Sequence, residues 1–99
     1  MTDGTKELAA LGRLVRIAQS DTGQSRRVAN FLLSWWNAQS CGGFDMTDLW
    51  SVDRAIADDM LVVFRMIMTF RIYPTALGHQ DDFAAIVERW RPETKGPRE

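Results

Sequence analysis

Within residues 34–50 the chain gathers three of its four tryptophans, its single cysteine, its only Gly-Gly pair and two carboxylates. Tryptophan supplies much of the burial in a small core and much of the energy at an interface. Rings crowded on both sides of a glycine break therefore define a corner between helical segments. That corner, Gly42, Gly43 and Phe44, either locks the fold or presents a contact surface, and residue type supports both. Everything else must be built from 99 residues, 45% of them hydrophobic, which suffices for one core and one domain.

Leu8, Leu11, Val15 and Ala18 recur at helical spacing, with Leu14 and Ile17 widening the stripe. Lys6, Arg13, Arg16 and Ser20 fall opposite, which predicts an amphipathic first helix ending near Ser20. Asp21 is the expected N-cap of a second helix, and Gln24 completes a capping box. In that helix Arg27, Asn30, Ser34 and Asn37 form one polar stripe. Val28, Ala29, Phe31, Leu32, Leu33, Trp35 and Trp36 cover the rest, so it packs against more than one neighbour. Gly42 and Gly43 end it by the left-handed C-terminal route. Phe44 then staples the chain, with Phe44 and Trp50 against Trp35 and Trp36, and Asp45 or Thr47 caps a short turn through Leu49 and Trp50.

A long helix starts at Ser51 or Asp53 and runs to about Phe70. Ile56, Met60, Val63, Ile67 and Phe70 point to the core, and Arg54, Asp58, Arg65 and Thr69 form a thin polar edge. A span this apolar is expected at the centre of the bundle. Residues 64–73 also alternate as a strand would, but no other segment offers a partner strand or a hairpin signal, so helix is the reading. Tyr73-Pro74 interrupts the chain, and 74–77 form one turn closed by Gly78. Phe83, Ile86, Val87 and Trp90 set a last helix, with Asp81 and Asp82 in its first turn, Arg89 and Arg91 in its last, and Pro92 as its stop. The expected fold is all-α: a compact single-domain bundle of four main helices plus a short helical turn, over residues 1–92, with 93–99 a disordered tail.

A net charge of −1 argues against general nucleic-acid binding, which needs a basic footprint. Arg13, Arg16, Arg26 and Arg27 gather near the first helix junction, but without a basic recognition helix they read as solvated surface. No apolar run is long enough to span a bilayer and no signal-peptide pattern opens the chain, so no membrane association is expected. The lone Cys41 fits a reducing, cytoplasmic location.

The carboxylates Asp45, Asp48, Asp53, Asp58 and Asp59 invite a magnesium-dependent hydrolase reading, because small all-helical pyrophosphohydrolases hold the ion between acidic pairs on facing helices. Asp45 and Asp48 sit where aspartate ordinarily caps a helix. Adjacent Asp58 and Asp59 cannot both face one ion from a regular helix. A Cys41–His79 dyad lacks sequence support, His79 suits a helix N-terminus, and Gly42-Gly43 lacks the lysine of a phosphate loop. No catalytic, metal-binding or cofactor-binding residue is assigned, and no cofactor is expected. The same carboxylates admit a second binding role, imitation of a phosphate track to occupy a host nucleic-acid-binding or defence complex.

The run Arg27-Val28-Ala29-Asn30-Phe31-Leu32-Leu33-Ser34-Trp35-Trp36-Asn37-Ala38, then Cys41-Gly42-Gly43-Phe44-Asp45, Ala55-Ile56-Ala57-Asp58-Asp59-Met60 and the closing Phe83 to Pro92, resembles a family of small bacterial proteins. That family is encoded on integrative and conjugative elements and plasmids, and no activity is assigned to it. The resemblance covers roughly residues 8–93. It implies a bacterial cytoplasm and a mobile-element context, and it transfers no catalytic residue. Four tryptophans and five phenylalanines exceed what one small core conceals. The expected function is therefore a non-enzymatic interaction protein that binds an unidentified protein partner or forms a homodimer. Its candidate surface is Trp36, Trp50 and Tyr73 with Asp45 and Asp48.

Overall fold

Leu11, Leu14, Val15 and Ala18, the apolar stripe of the first helix, are all buried in a computed structural model that describes residues 4–94. The chain forms α1 (Thr5–Ala18), α2 (Gly23–Cys41), α3 (Arg54–Phe70) and α4 (Gln80–Trp90), with 3₁₀ turns at Met46–Ser51, Pro74–Leu77 and Pro92–Thr94. No strand occurs among the described residues, so the alternation over 64–70 resolves as helix. The all-α bundle of four main helices plus short turns stands as expected. The expected disordered tail begins within the Pro92–Thr94 turn, and from 95 onward it lies outside the described residues.

The centre of the bundle differs from expectation. It is α1, not α3, that lies along both α2 and α3, with α4 and the Pro74–Leu77 turn closing the far side against α2. α1 can do this because its small residues Ala10 and Ala18 are buried beside its leucines and let neighbouring helices approach. Met60, Val63 and Met66 of α3 are buried, Ile56 and Ile67 only partly, and Phe70 is exposed at the end of the helix. Leu8 is likewise exposed, because the first turn of α1 projects past the core.

Helix ends explain several further departures. Thr22, not Asp21, caps α2, its hydroxyl accepting the Ser25 N–H at 3.0 Å. Gln24 forms no capping box. Its side-chain carbonyl instead accepts the Asp53 N–H at 2.6 Å, at the mouth of α3. Asn37 leaves helical geometry inside α2 (φ −164°, ψ 80°), and its side chain accepts the Ser40 N–H at 3.1 Å, capping a last turn of its own. Gly42 follows with φ 93° and ψ 167°, a positive but extended conformation rather than the left-handed helical one. Gly43 has no positive φ.

At the other side of the corner, the Asp45 carboxylate caps the Met46–Ser51 turn, accepting from the backbone N–H and the hydroxyl of Thr47 at 3.0 and 2.8 Å. These two bonds hold the Asp45 carboxyl below its ordinary range, the Thr47 hydroxyl being the main cause. α3 ends on Arg71 in the left-handed region (φ 56°), a place usually taken by glycine.

Candidate interaction groove

α2 and α3 are fastened to each other near their ends. At one end the Gln24 side-chain carbonyl takes the Asp53 N–H. At the other the Trp35 indole N–H donates to the Ile72 carbonyl at 3.0 Å. Between these ties the helices do not close, and a groove of about 690 Å³ opens. Phe31, Ser34 and Trp35 of α2 form one wall and Ala57, Met60, Leu61, Phe64 and Ile67 of α3 the other. Phe44, Met46 and Leu49 from the glycine corner close the end, and Arg54 and Asp58 supply the polar lip.

Each wall is set by packing behind it. Trp35 presents its ring edge-on to Phe83 of α4, with centroids 6.2 Å apart, so the same side chain reaches the core, the end of α3 and the groove. Phe44 stacks edge-to-face on Phe31 at 5.4 Å. The opposite wall runs into open solvent. Leu61, Phe64 and Met68, spaced i, i+3 and i+7 along one face of α3, are 60%, 56% and 63% exposed. Monomeric proteins rarely leave such a contiguous apolar stripe uncovered.

The surface residues singled out by sequence do not line this groove, although Phe44 of the expected corner does. Trp50 is 83% exposed and Tyr73 is exposed, but Trp36 is half-buried against the core. Trp50 does not face Trp35 or Trp36 as expected; it stands in solvent at the end of the corner turn, and Phe44 alone makes the ring contact, with Phe31. Asp45 is occupied as a cap. Asp48 faces Arg27 at 3.6 Å. The groove residues Leu61, Phe64, Met46 and Leu49 were not legible as a site. The available signal was the breadth of the apolar arc on α3, too wide for the one neighbour a small bundle can offer it.

The remaining carboxylates are engaged locally. Asp59 takes a two-pronged contact from Arg13 at 2.8 and 2.9 Å, which keeps that guanidinium still more firmly protonated. Asp58 takes the Arg54 guanidinium at 3.0 Å, and Asp53 lies 3.4 Å from the Gln24 amide nitrogen. No group of three or more histidine, cysteine, aspartate or glutamate side chains among the described residues is placed to hold a metal ion. The arginine face expected near the first junction is partly drawn into these pairs, through Arg13 and Arg27.

Cys41 is buried at the end of α2, where burial pushes its thiol up; the Arg91 guanidinium opposes this while donating to the Cys41 carbonyl at 2.9 Å. A raised thiol is the reverse of what a nucleophile needs. His79 sits at the N-cap position of α4 with its Nδ1 2.9 Å from Asp82. No helix among the described residues is long and apolar enough to cross a membrane.

Residues 8–91 match a family of unknown function, DUF7673, and the chain belongs to that family. No curated protein and no solved structure matches it.

Proposed function

We propose that this is a non-enzymatic interaction protein that receives an apolar helix in the groove between α2 and α3. The observation that carries this reading is the continuity of the groove with the exposed Leu61, Phe64 and Met68 stripe. A slot that is apolar apart from Ser34 in one wall and Arg54 and Asp58 at the lip suits an amphipathic helix anchored by residues at i, i+3 and i+7. The resemblance to proteins of integrative and conjugative elements supports placing it in a bacterial cytoplasm as an accessory factor of such an element. The alternative through the acidic corner draws less support, because Asp45 is occupied as a cap and Asp48 and Asp59 already face arginines of the same chain.

Capture from cells that carry the protein tests the reading when it is made groove-dependent. The expected result is a protein, another species or further copies of the chain, retained by the wild type and by Arg16→Glu but lost by Phe64→Glu. Retention by all three, or by none, overturns it.

A further inference from the structure

We infer that the occupant of the groove is a second copy of this chain, docked through α3 as an antiparallel two-fold pair. This rests on the groove reading above and adds the identity of the partner. Along α3, Ala57, Leu61, Phe64 and Met68 alternate by four, three and four residues, the spacing of a coiled-coil seam. Three of the four are large and more than half exposed.

Placing the two-fold axis between Leu61 and Phe64 sets Leu61 against the partner's Phe64, and small Ala57 against the partner's Met68. Bulk meets space in the outer layers, and two large side chains meet in the inner ones. The same register brings the flanking positions together edge to edge, with Asp58 two residues, about 3 Å along the axis, from the level of the partner's Arg65, twice by symmetry. Asp58 is a groove-lip residue whose pair with Arg54 is solvent-exposed, so its carboxylate stays open to a second guanidinium. Arg65 is exposed and has no ion pair among the described residues, which leaves it available. A parallel arrangement puts the two copies of this edge on opposite sides of the seam, so the contact between Asp58 and the partner's Arg65 is not made.

Area points the same way. Leu61, Phe64 and Met68, together with the groove-lining Met46, leave on the order of 450 Å² of apolar side chain in water. With the groove walls and lip this approaches the roughly 800 Å² that each partner contributes to a standard stable interface. The interface so formed is isologous, its core apolar and its rim charged.

Sedimentation velocity of the full chain over a concentration series, with circular dichroism to verify folding, is the test. The wild type is expected to sediment as a dimer, and Phe64→Glu and Leu61→Glu as folded monomers. Asp58→Arg and Arg65→Asp are each expected to weaken the dimer by roughly tenfold or more, and the double exchange to restore it. Restoration is a result that mere damage to the helix does not give. A wild type that stays monomeric up to millimolar concentration overturns the proposal, as does a dimer that survives Phe64→Glu or charge exchanges that fail to rescue each other. In the first case groove-dependent capture of a different protein leaves the broader function standing, so the two failures are distinguishable.

Discussion

Met60, Val63 and Met66 on one side of α3 are buried, whereas Leu61, Phe64 and Met68, a residue or two away in each case, stand in the open. The two sides are equally apolar, so hydrophobicity does not separate them. What separates them is the number of neighbours. α1 covers one side along its length, and the six-residue Met46–Ser51 turn is too short to cover the other. In a chain this small, a helix that is apolar over most of its circumference outruns the elements available to bury it, and its surplus becomes surface.

The largest expected effect tests that contrast directly. Met66→Ala, on the enclosed side, leaves a cavity and costs about 2–5 kcal/mol. That lowers the melting temperature by on the order of 10 °C or more for a domain of this size. Leu61→Ala, on the open side, shifts the stability of the monomer by no more than roughly 0.5 kcal/mol. Thermal melts at low protein concentration distinguish them, and equal melts erase the distinction between the two sides.

The glycine corner comes next, because it joins the enclosed side to the open one. Gly42 occupies a backbone region open essentially to glycine alone, so Gly42→Val costs roughly 1–3 kcal/mol. Gly43 has no positive φ and open space where a Cβ would stand, so Gly43→Val is nearly silent. Denaturant titration of the pair is the measurement; similar midpoints show that the corner is a passive loop.

A smaller loss is expected from Trp90→Phe. The Trp90 indole N–H donates to the Ala18 carbonyl at 2.7 Å, satisfying an orphan acceptor at the last residue of α1. Leaving that acceptor without its donor costs about 1 kcal/mol, read as a shift in the urea midpoint. An unchanged midpoint would mean that water replaces the indole without penalty, and that this end of the core is less enclosed than the rest.

The smallest effect belongs to Asp45. Its carboxyl lies below the ordinary aspartate value in the folded protein, so its contribution is fully present above the unfolded pKa and is lost as pH falls through the depressed folded one. Asp45→Asn is therefore expected to lose less stability than the wild type on acidification from pH 5 to about pH 2. Parallel acid-dependence curves would remove the Asp45 cap from the forces that hold the corner turn.

Most of the helical plan was readable because it rests on local chemistry. The stripe in α1, the break at Tyr73-Pro74, the Asp45 cap and the stop at Pro92 each depend on a few neighbouring residues. Contacts over long sequence separations were not readable. Gln24 looks like half of a capping box until Asp53, 29 residues on, proves to be its partner. Asn37 looks like a stripe residue until its side chain breaks α2. The groove escaped for the same reason: its walls come from 31–35, 44–49 and 57–67, and only the tertiary fold decides which apolar residues of α3 remain uncovered. Trp50 and Tyr73, beside breaks in the chain, were correctly read as rings outside the core, whereas Trp36 was drawn inward.

The slot between α2 and α3 is tied at its extremities by two hydrogen bonds, Gln24 to Asp53 and Trp35 to Ile72, while α1 packs along both helices. Two of its lining residues, Met46 and Met60, are methionines, whose unbranched thioethers re-shape at little cost. Such a lining receives leucine, methionine and phenylalanine side chains with little difference. When the plug is α3 of a second copy, plug and wall are one segment, so a change at Leu61 or Phe64 alters both faces of the contact at once.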